Sequence, residues 1–67
     1  MLDLKYLMSY GQPNREQTIR LIQIWNHEHP DEKPMEITES RIEAMSCAAE
    51  YEAGWRALIK KYEGVEL

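Results

Sequence analysis

The sequence predicts an all-α fold: a helical hairpin over about 14–29 and 38–62, behind a short N-terminal segment. Three observations predict it. Two segments carry apolar residues at helical spacing, each opened by a capping residue. The breaks fall outside those segments, at Gly11-Gln12-Pro13, at Pro30 through Pro34, and at Gly64. Only one stretch has strand-like patterning, and a sheet needs at least two.

That stretch is residues 1–11. Leu2, Leu4, Tyr6, Met8 and Tyr10 alternate with Asp3, Lys5, Leu7 and Ser9, which is the period of a strand. Leu, Met and Lys favour helix, so a short helix is expected. The alternative is a strand exchanged between two copies of the chain, or added to a partner's sheet edge.

The middle helix should open at Asn14, with Gln17 three residues on completing a capping box. Glu16 suits the positive end of the helix dipole, and His27 and His29 suit the negative end. Pro30 disfavours helical geometry at His29 and sets the stop. Ile19, Leu21, Ile22 and Trp25 share one face, with Ile24 at its edge. Five large apolar residues within seven positions call for cover on more than one side. An acidic loop over 30–37 follows.

The last helix should start at Thr38, with Ile37 and Ile42 at the two positions of a hydrophobic staple; Ser40 and Glu43 offer a competing start. Lys60 and Lys61 suit its C-terminal end, Gly64 supplies a left-handed stop, and 63–67 form a tail. Ala44, Met45, Ala48, Tyr51, Trp55, Leu58, Ile59 and Tyr62 project to one face. Such a helix would be about 36 Å long, and the middle one about two-thirds of that. It leaves apolar surface over. Small side chains at Ser46, Cys47, Ala53, Gly54 and Ala57 lie mostly off the aromatic face. A glycine inside a helix costs about 1 kcal/mol relative to alanine. Close approach of another backbone at Cys47 and Gly54 would offset that cost, and a tolerated glycine on a wet face is the alternative.

All 67 residues fit one small domain, and a chain this short buries little of its surface. An apolar content of 43% is globular rather than disordered. One cysteine excludes an intramolecular disulfide and any multi-cysteine zinc site. Stability then has to come from helix packing or from association, and a homodimer is expected. Twelve acidic against eight basic residues, a net charge of −4, disfavour direct nucleic-acid binding through phosphate neutralisation. No stretch nears the roughly 20 apolar residues of a membrane span. The start, Met1-Leu2-Asp3-Leu4-Lys5, lacks the basic region of a signal peptide. A cytoplasmic location is expected.

No catalytic set stands out. His27-Glu28-His29-Pro30-Asp31-Glu32 has the residue types of a metal site, but residues two apart on a helix point about 200° apart. No metal or other cofactor is expected there. Cys47 has no base near it in sequence, and Glu50 and Glu52 point apart, so neither reads as catalytic.

Two features bear on binding. Two Trp and four Tyr in 67 residues exceed what so small a core needs, and Trp25, Tyr51, Trp55, Ile59 and Tyr62 are candidate partner contacts. Asp31, Glu32, Glu36, Glu39 and Glu43 form an acidic patch that suits a basic surface. The expected function is therefore a small acidic, non-enzymatic interaction module. It would act as a regulator or inhibitor of a larger protein, the kind of short chain that phages and mobile elements encode. The alternative is an acidic mimic of nucleic acid or a weak helix-turn-helix DNA-binding protein.

Overall fold

The helix expected from Asn14 forms as α1, Arg15–Glu28, in a computed structural model that describes residues 11–50 and 54–67. The capping box is closed in both directions. Asn14 Oδ1 accepts the Gln17 N–H at 2.8 Å, and Gln17 Oε1 accepts the Asn14 N–H at 2.9 Å. Thr18, wholly buried, returns its hydroxyl to the Asn14 carbonyl at 2.9 Å, so no polar atom is stranded. Ile22 and Ile24 are 0% and 1% exposed although they lie about 200° apart around the axis, so α1 is covered on two sides. Ile24, expected at the edge of the apolar face, is core. Trp25, expected on that face, is half-buried.

The loop beyond α1 is pinned by one side chain. Asn26 accepts the Met35 N–H at 2.8 Å and donates to the Met35 carbonyl at 3.2 Å. Thr38 then starts the second helix, α2, Glu39–Glu50, its hydroxyl accepting the Arg41 N–H at 3.1 Å. Ile42 is buried, while Ile37, its expected staple partner, is 46% exposed.

The long helix expected over 38–62 is divided. Its second part is α3, Trp55–Lys61, with Gly54 as N-cap at φ −95°, ψ 0°. The physical reason lies in Gly54, which has the weakest helix propensity after proline and opens α3 rather than sitting inside a helix. Carrying one helical projection through it also misplaced the seam of α2. The buried residues there are Ile42 and Ala49, flanked by half-buried Met45 and Ser46, and Ala44 is exposed. Among the described residues no second backbone approaches Gly54, since a Cβ built on it meets none of their heavy atoms within 4 Å.

Among the described residues the fold is three helices without a strand. The 1–10 segment, with its expected helix or exchanged strand, and Tyr51 lie outside them. α2 packs against the N-terminal half of α1, where Ser46 Oγ donates to the Pro13 carbonyl at 3.2 Å and Arg15 pairs with Glu39. α3 also packs against α1. At its start Trp55 Nε1 donates to the Gly11 carbonyl at 3.3 Å, and at its end the Tyr62 hydroxyl donates to Glu28 Oε2 at 2.9 Å. Leu21, Ala49 and Trp55 form a core cluster joining all three helices, with Leu58 and Ile59 packed against it. Gly64, at φ +77°, turns the chain after α3 in the left-handed geometry expected of it. Arg20 of α1 donates to the Tyr62 carbonyl at 2.8 Å and to that of Val65, tying the turn that follows α3 to α1.

Candidate functional site

The three helices enclose an apolar groove of about 530 Å³. One wall is the C-terminal half of α1, with Leu21, Ile24, Trp25 and Glu28. Met45, Ala48 and Ala49 come from α2, and Gly54, Trp55, Ala57, Leu58 and Lys61 complete the lining. The small residues are the ones that leave the opening. Ala48, Gly54 and Ala57 are exposed, and a larger side chain at any of them would occupy the space.

The groove uses the expected aromatic residues unequally. Trp55 is 3% exposed and forms part of the lining from within the core; its ring and its N–H are committed to the fold. Trp25 is half-buried and open to the groove, its ring stacked on that of His29 with centroids 4.2 Å apart and planes at 17°. His29 Nδ1 lies 2.8 Å from the Trp25 carbonyl, which holds the imidazole against the indole. Ile59 packs on the core cluster and does not line the groove. Tyr62 does not line the groove; its hydroxyl bonds to Glu28, which does, and His27 meets its ring edge-on at 5.6 Å. Donation to the Glu28 carboxylate, then burial, raises the Tyr62 pKa.

The two histidines therefore serve different rings and do not converge. Among the described residues no group of three His, Cys, Asp or Glu side chains is placed to hold a metal ion. Cys47 is exposed, with Gln12 Nε2 at 3.8 Å from its sulfur, rather than packed in a helix contact.

Asp31, Glu32, Glu36, Glu39 and Glu43 are all exposed. None of the five lines the groove. Glu39 and Glu43 line a second depression of about 360 Å³, together with Gln12, Arg15, Ile42 and Ser46. Arg15 bonds to Glu39 there, lowering the Glu39 pKa and raising its own.

Arg20, Asn26 and Glu28 are the structural polar residues that periodicity does not single out. Arg20 and Asn26 bind backbone groups, and a backbone acceptor leaves no mark in the sequence. Among the described residues no helix is long and apolar enough to cross a membrane. Comparison of the chain with protein-family models, curated proteins and solved structures finds no match.

Proposed function

We propose that this chain is a small acidic, non-enzymatic interaction module, a regulator or inhibitor that works by seating a larger protein in the groove between its helices. The observation that carries this reading is the groove itself. It is almost wholly apolar, and its lining includes the half-buried Trp25, Met45 and Leu58. Aromatic and methionine side chains around a desolvated pocket are the usual anchors of a protein interface. Trp55 supports the site from beneath rather than touching the partner. Pairing with a second copy, expected from the sequence, belongs to the same proposal, and a scattering mass near twice 8.0 kDa would support it.

The test is capture from the native host by the tagged full chain, in parallel with an Ala48→Trp variant that fills the groove. A protein retained by the parent and lost by the variant, with helix content unchanged by circular dichroism, supports the reading. Equal retention by both rejects it.

A further inference from the structure

We infer that residues 1–10 of the same chain seat in the groove and have to be displaced before a partner enters. The displacement rests on the groove being the docking site. Where the segment starts is the first argument. Trp55 Nε1 donates to the Gly11 carbonyl at 3.3 Å, and Trp55 itself lines the groove. The ten residues ahead of Gly11 therefore begin beside a groove wall. Three residue steps reach about 10 Å from Gly11, which brings Met8 within range of the lining.

Composition and length are the second argument. Seven of the ten residues are Met, Leu or Tyr, an apolar density that calls for cover. In the short helix expected of them, Met1, Leu4, Leu7 and Met8 share a face. Met1 to Met8 is seven steps, a rise of about 10.5 Å. The lining covers the same seven steps along α1, from Leu21 to Glu28, and again from Gly54 to Lys61. Exposed Ala48 and Ala57 leave room for a backbone, and half-buried Trp25, Met45 and Leu58 are the apolar surface it would cover. The second depression is as close in sequence, through Gln12, but an apolar segment there would desolvate Arg15, Glu39 and Glu43. A short tether holds its segment at an effective concentration on the order of millimolar, which favours the chain's own segment over that of a second copy in dilute solution.

The test is nuclear magnetic resonance on the isotope-labelled full chain. Nuclear Overhauser cross-peaks are expected from the methyls of Leu4, Leu7 and Met8 to the Trp25 ring and to the methyls of Met45, Ala48 and Leu58, at a scattering mass near 8.0 kDa. Their absence would overturn the inference. So would cross-peaks to Ile42 in the second depression instead, or cross-peaks found only between differently labelled copies, which would make a second copy the occupant. Leu4→Ser with Leu7→Ser and Met8→Ser should open the groove. The fluorescence of added anilinonaphthalene sulfonate should then rise severalfold, while the amide spectrum of residues 12–67 keeps its dispersion. Adding Ala48→Trp should cancel that rise, and a rise that survives it would overturn the inference. Displacement is read separately, by capture from the native host. The serine variant should retain severalfold more of a protein that the parent retains and Ala48→Trp loses, and equal retention would overturn the displacement. Equal retention by the parent and Ala48→Trp, with the cross-peaks in place, would overturn docking and displacement together and leave the seated segment standing.

Discussion

Replacing Trp55 with Ala removes the largest side chain of the core cluster and the donor that holds the Gly11 carbonyl. A loss of about 3–5 kcal/mol is expected from urea unfolding, the range for a fully buried aromatic. A loss below about 1 kcal/mol would contradict the 3% exposure of the ring. Tyr62 gives a second test, through pH. Its raised pKa means that the bond to Glu28 favours the neutral phenol. The stability it adds is complete below the ordinary tyrosine pKa of about 10 and is lost as pH rises through the higher folded value. Tyr62→Phe should flatten that alkaline decline in the urea midpoint. Trp25 and Tyr62 were legible as surface-capable aromatics because their sizes exceed what a small core holds. The roles of Arg20 and Asn26 were not. Their partners are carbonyl and amide groups 42 and 9 residues away, which side-chain pattern does not report.

At the scale of elements, α1 was readable to within a residue at each end, because Asn14, Gln17 and Pro30 are local signals that act within one turn. The division between α2 and α3 was readable only as a question, since Gly54 is compatible with a close contact, a wet face or a helix start. The geometry answers it. Gly54 has a negative φ, and no atom of the described residues lies within 4 Å of where a Cβ would go. Gly54→Ala should therefore change stability by less than about 1 kcal/mol, the entropy lost by the unfolded chain being set against the poorer N-cap that alanine makes. A destabilisation well beyond about 2 kcal/mol, measured by urea unfolding, would restore the close-contact reading. Asn14→Ala should cost about 1 kcal/mol by the same measurement, since Ala removes the acceptor of the capping box. The acid limb belongs to the contact between α1 and α2. Glu39, lowered by Arg15, contributes stability above the ordinary carboxylate pKa that is lost as pH falls through its depressed value. Glu39→Gln should reduce the steepness of that limb, and high salt should do the same.

Over the whole molecule, two surfaces compete for a function: the apolar groove between the helices and the acidic residues from Asp31 to Glu43. Both were visible as residue types in the sequence. That apolar residues from all three helices line the groove floor was not, because it depends on how α2 and α3 pack against α1. The measurement that decides between them is quantitative capture from the native host with three full-length baits: the parent chain, Ala48→Trp, and the neutralised loop Asp31→Asn, Glu32→Gln, Glu36→Gln and Glu39→Gln. A partner bound by the parent and by the neutralised chain, and lost with Ala48→Trp, is the predicted result. A partner held by Ala48→Trp and lost on neutralising the loop would contradict the account and place the function on the acidic surface.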